Sequence, residues 1–142
     1  MLSGLLALIS ASAFAGAAVY INIAEHPARM TIDAGAMLAE WRVSYSRGFA
    51  MQASLAVVSA VFGLLAFWQT SEMRWFVGAA LIFANWTITL LVILPINNRL
   101  LAIPPDEAGA ESRRLLDVWQ RLHGGRSVLG VLATIAYVWA LV

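Results

Sequence analysis

Charge is absent from the chain in long blocks. Met1 to Ala24, Gly48 to Ser71 and Trp75 to Asn98 are three runs of 24 residues without one Asp, Glu or Arg, and a fourth run of 16 extends from Ser127 to Val142. A helix of 24 residues is about 36 Å long and crosses a hydrocarbon layer of about 30 Å. The pattern predicts an all-α fold: a four-transmembrane-helix bundle with spans over roughly 3–25, 48–70, 75–96 and 122–142, in one domain covering 1–142. The fourth span is long enough only if it begins near Leu122, which draws His123 and Arg126 to the membrane boundary.

The connections run long, short, long: Glu25 to Arg47, Glu72 to Arg74, and Arg99 to Arg126. Pro27 is expected to stop the first helix, because the residue before a proline, His26, is pushed away from helical angles. Ala34, Met37, Leu38, Trp41 and Tyr45 then recur at the helical period, opposite Asp33 and Glu40. They predict an amphipathic interfacial helix that runs into the second span at Gly48. In the last connection Pro104-Pro105 breaks the chain, and a soluble helical segment is expected from Asp106, with Leu115, Leu116, Trp119 and Leu122 as its apolar face. Arg113, Asp117 and Arg121 are spaced for i,i+4 pairs on its solvated side, and Gly124-Gly125 permits a bend into the fourth span.

Composition sharpens this. With 61% hydrophobic residues, 12% charged and a mean hydropathy of +0.79, the chain is no ordinary soluble domain, where about 25% of residues are charged. The lack of cysteine excludes a disulfide scaffold, a thiol nucleophile and c-type haem attachment. A net charge of +1 leaves no nucleic-acid footprint. Eight of the nine basic residues, all arginine, lie in the two long connections. The positive-inside rule then puts those connections in the cytoplasm and both termini outside, in a bacterial-type inner membrane. The first run is expected to be a span and not a cleaved leader: Met1 to Gly4 carries no basic residue, and the apolar stretch continues through Ile23. Small residues four apart, Ser12 and Gly16, Ala56 and Ala60, Ser59 and Gly63, suit close helix packing within the bundle or in a homo-oligomer.

Polar residues gather at one end. The first span closes with Asn22, Glu25, His26 and Arg29; the second opens with Arg47 and Gln52; the third ends in Pro95-Ile96-Asn97-Asn98-Arg99. Trp119, His123 and Arg126 enter the fourth at i, i+4, i+7. Each has a structural explanation, as an ion pair, a cap or a snorkelling anchor. Yet the chain has only two histidines, and both fall at the same depth, where an imidazole is costly unless hydrogen-bonded. A second patch, Asn85, Trp86, Thr87 and Thr89, reads as interhelical hydrogen bonding.

Glu25-His26-Pro27, Trp41 with Tyr45 and Arg47, Pro95-Ile96-Asn97, and Trp119-x-x-x-His123-x-x-Arg126 together resemble the anthrone oxygenase-like family of small four-helix membrane proteins. The resemblance implies an oxidoreductase that inserts oxygen into an anthrone to give an anthraquinone. It points to His123, Arg126, Asn97 and His26 as catalytic residues, with Trp119 lining the site. An anthrone has an acidic ring C–H, so such a protein needs a base, an oxyanion partner and a dry aromatic pocket. Histidine, with an unperturbed pKa of about 6.5, suits the base, and Arg126 and Asn97 suit a developing phenolate. Trp119, Trp41 and Tyr45 offer flat surfaces to a hydrophobic small molecule arriving from membrane lipid, with Glu25 grouped among the substrate-binding residues. No cofactor is required in this scheme.

Two other function classes stay open at the level of sequence. His26 and His123 with Glu25 could hold iron with open positions, or the two histidines could be axial ligands to haem. The same cluster could also bind a lipid, a quinone or a partner protein without catalysis.

Overall fold

A computed structural model describes residues 1–142. Four long helices carry the fold: α1 Leu2–Arg29, α2 Ala34–Thr70, α3 Met73–Ala102 and α4 Ala110–Leu141, each long and apolar enough to cross a membrane. There is no strand. The helices run up, down, up, down. Each packs on its chain neighbour, α4 closes the ring against α1, and α1 and α3 stand diagonally apart.

Apolar layers hold the two ends and the middle. Ala7, Ala11, Ala66, Trp75 and Tyr137 form the layer near the termini, and Phe14, Ala18, Ala56, Ala60, Ile82 and Ala133 the central one. Small residues there let backbones approach closely, which is what drives helix association in lipid. Ser59 Oγ donates to the Ala7 carbonyl at 2.9 Å, and Tyr137 Oη donates to the Ser59 carbonyl at 3.1 Å. Ser59, Gly63, Ala56 and Ala60 are thus packed within the bundle, whereas Ser12 is exposed and a Cβ at Gly16 would meet nothing. The third layer, at the end with the long connections, comprises Met37, Leu38, Trp41, Ile93, Leu100, Leu115, Leu116 and Trp119.

Several sequence expectations need correction. Pro27 does not stop α1. A π turn over Ile21–Glu25 precedes it, and the helix continues to Arg29. A proline ring clashes with the carbonyl four residues back, and a widened turn relieves that clash. Pro95 is accommodated in the same way, two residues beyond a π turn over Thr89–Ile93, so α3 runs on to Ala102.

The amphipathic stretches of both long connections are helical but are not separate helices. Residues Ala34–Thr70 form one helix with no break at Gly48, and Ala110–Leu141 form one with no break at Gly124-Gly125. The reason is register: Leu115, Leu116, Trp119, His123, Arg126, Ser127 and Gly130 continue one buried stripe straight through the glycines. The segment after Pro104 makes only a single 3-10 turn at Pro105–Glu107, and α4 starts at Ala110, not Asp106.

The expected Arg113, Asp117 and Arg121 pairs do not form. Arg113 instead donates to the carbonyls of Met30 (3.0 Å) and Ile32 (2.6 Å), and Arg42 donates to those of Leu101 (2.9 Å) and Ile103. Both guanidiniums satisfy carbonyls left open where α1 and α3 end. The tight turn at the other end uses Ser71 in the left-handed region (φ 58°) to close α2. Glu72 caps α3, and its hydrogen bond from the Arg74 side chain holds its carboxyl below the usual range.

Candidate functional site

Between the central apolar layer and the connection-end layer, every helix contributes polar side chains. Six of the eight residues singled out from the sequence line one cavity there: Glu25 from α1, Tyr45 from α2, Asn97 from α3, and Trp119, His123 and Arg126 from α4. His26 and Trp41 do not line it. They stand behind the wall, His26 stacked on Trp119 with ring centroids 6.3 Å apart, and Trp41 stacked on Tyr45 at 5.0 Å and edge-on to Trp119 at 6.2 Å. The cavity also includes Ser44, Phe49, Gln52 and Thr89. Of these, Gln52 and Thr89 stood out in the sequence as polar residues inside spans, whereas Ser44 and Phe49 carried no signal.

The π turns explain how α3 reaches the site. Asn85, Thr89, Ile93 and Asn97 follow one another at four-residue steps, and all four are buried. Twelve residues of regular α-helix would leave Asn97 about 120° around the axis from Asn85. A π turn absorbs about one residue of rotation, reducing that to about 20° and keeping both amides on the inner face. In α1 the polar residues divide between neighbours. Asn22 and His26 face α4, whereas Glu25 and Arg29 face α2. Arg29 pairs with Glu25 and Glu40 and donates to Ser44 Oγ at 2.7 Å; Ser44 in turn donates to Glu25 at 2.8 Å. This network ties the end of α1 to α2 and leaves the Glu25 carboxylate at the cavity edge.

His123 is held by α1. Asn22 Nδ2 donates to the Gln120 carbonyl at 3.1 Å, while Gln120 Nε2 donates to the Asn22 carbonyl at 2.8 Å. A backbone carbonyl only accepts, so the Asn22 amide must turn its Oδ1 towards His123 and Ser127. Oδ1 accepts from Ser127 Oγ at 2.7 Å and from His123 Nδ1 at 2.9 Å. The proton of the neutral imidazole therefore sits on Nδ1. Nε2 carries the lone pair and has no hydrogen bond to the protein. The ring is 1% exposed and stacks on Trp119 at 4.8 Å.

Arg126 is the only charged group of α4 below this level, and no carboxylate pairs with it. Its guanidinium lies 5.5 Å from the Phe14 ring centre, and its buried Nε has no partner. Gln52 Nε2, Asn97 Oδ1 and Asn85 Oδ1 are likewise buried and unpartnered. Such orphans are rare in folded proteins and costly in a dry interior. The free space is about 20 Å³, enough for about one water. A ring system needs more room than this, so side chains of the wall must move to admit one.

No three His, Asp or Glu side chains come together as a metal-ligand set. The alternative triad of His26, His123 and Glu25 is not brought together as such a set: Glu25 faces α2, held by Arg29 and Ser44, whereas His26 stacks on Trp119 of α4.

A family model described as Anthrone oxygenase matches residues 41–136. The match contains Trp41, Tyr45, Asn97, Trp119, His123 and Arg126, and leaves Glu25 and His26 outside it. No curated protein and no solved structure matches the chain.

Proposed function

Because the chain belongs to the anthrone oxygenase family, we propose that its polar layer oxidises a hydrophobic phenolic compound of the anthrone type with molecular oxygen. His123 is the base. Its Nε2 takes a proton from the acidic ring carbon, and the pair of electrons left behind delocalises onto the ring oxygen. Arg126 and an Asn97 amide stabilise that oxyanion where water is excluded and electrostatic interactions are strong. The carbanion reacts with O2; loss of water from the resulting peroxide converts CH2 to C=O, so that one CH2 and one O2 become one carbonyl and one H2O. Trp119 and Tyr45 supply flat walls, and Trp41 and His26 support them from behind.

The observation that carries this reading is the orientation of His123. Asn22 fixes the imidazole tautomer that leaves the Nε2 lone pair free, beside the unpaired Arg126. The test is oxygen uptake by the purified protein in detergent or nanodiscs with anthrone, followed by the appearance of anthraquinone. His123→Ala should remove turnover while leaving the helical spectrum unchanged. Equal inertness of wild type and variant would sink the proposal.

A second reading, binding of a quinone-like molecule without turnover, is favoured by the same unpartnered amides. It predicts quenching of Trp119 fluorescence by an anthraquinone with no oxygen uptake from the anthrone.

A further inference from the structure

A smaller chamber adjoins the cavity and shares Phe49, Gln52, Thr89 and Arg126 with it. Its inner wall is Asn85, four residues and about 6 Å before Thr89 on α3. Asn85 is 1% exposed. Its Nδ2 donates to the Ile82 carbonyl at 3.1 Å, which fixes the amide and leaves Oδ1 as a bare acceptor, buried without a partner. From the sequence Asn85 and Thr89 read as interhelical hydrogen bonds, yet Asn85 bonds to no other helix. The chamber measures about 10 Å³, close to the lower limit for one water or one hydroxyl.

We propose that this chamber is a specificity subsite in which Asn85 Oδ1 accepts a hydrogen bond from a hydroxyl of the ring system held in the main cavity, with Gln52 Nε2 donating to the same oxygen. A hydroxyl is the group that fits, because it both donates and accepts, whereas an ether or a carbonyl cannot satisfy Asn85. A molecule with a bare ring edge would strip water from Asn85 and leave it unpaired, a loss worth about tenfold to a hundredfold in affinity. Asn85 is thus a specificity residue that never touches the reacting carbon.

The inference rests on the proposed aromatic ligand but not on its oxidation, so the test reads binding and turnover separately. Anthrone is compared with 2- and 3-hydroxyanthrone, whose hydroxyls lie beyond reach of their own carbonyl. Quenching of tryptophan fluorescence under nitrogen gives each dissociation constant. Wild type should bind at least one hydroxylated compound about tenfold to a hundredfold more tightly than anthrone. Asn85→Leu, of nearly the same shape, should bind all three alike, and Asn85→Ser, which keeps an acceptor, should retain part of the preference. Should Asn85→Leu not fold, the wild-type comparison and Asn85→Ser still decide. Equal affinity in wild type, an undiminished preference in the Asn85 variants, or no binding of any compound overturns the subsite. If the preference holds and oxygen is not consumed, the subsite stands and the oxidase reading fails.

Discussion

Asn22 and His123 lie 101 positions apart in sequence, yet Asn22 Oδ1 accepts the His123 Nδ1 proton at 2.9 Å and is itself aimed by Gln120. A residue of the first helix thereby sets the proton position of a residue on the fourth. Asn22→Leu should lower kcat for anthrone oxidation by about 10- to 100-fold, the range that follows loss of the group orienting a metal-bound histidine. KM should change little. Nitrogen NMR of labelled His123 should show the Nδ1-protonated tautomer in wild type and a mixture in the variant. An unchanged tautomer would refute the lock.

Arg126 carries a buried charge with no counterion. Replacement by Met keeps an unbranched apolar stem, removes a desolvated charge that costs several kcal/mol, and loses a cation–π contact to Phe14 worth about 0.5–2 kcal/mol. Arg126→Met should raise the thermal midpoint in detergent while abolishing turnover and ligand quenching. A fall in the midpoint would make Arg126 a structural residue.

Arg29 is the contrasting arginine, with its side chain 1% exposed and paired with Glu25, Glu40 and Ser44. Arg29→Leu strands those acceptors, which are partly solvated, and should cost about 1–3 kcal/mol in chemical unfolding. Glu111→Ala removes only exposed pairs to Arg99 and Arg114 and should leave stability unchanged.

Glycines separate packing from access. A Cβ at Gly78 would lie 2.4 Å from Tyr137 Cε1, and the fully buried tyrosine has nowhere to go. Gly78→Ala should therefore destabilise by about 1–3 kcal/mol. At Gly48, which lines the cavity, an added Cβ meets nothing. Gly48→Ala should fold at least as well as wild type, since alanine favours helix by about 1 kcal/mol. Gly48→Phe should fold too, but should block ligand quenching by filling the mouth beside Tyr45 and Phe49.

Residue order alone determined the four spans, because absence of charge over 24 residues is a local property that lipid reads directly. It also determined that the polar groups share one end, since the depth of a residue follows from its position along a span. Glu25, Asn97, Trp119, His123 and Arg126 could be named on that basis, and Tyr45 from the apolar stripe it shares with Trp41.

Tertiary structure decided which of them meet. Two π turns, invisible in composition, absorb Pro27 and Pro95 and rotate Asn97 inward, so both helices continue past their prolines. The partner of His123, the isolation of Arg126 and the bare acceptor of Asn85 are likewise properties of helices facing one another. A helix's rotation about its own axis is set by packing across the bundle. Sequence periodicity gives the apolar face of one helix, but not which side chain of another stands opposite it.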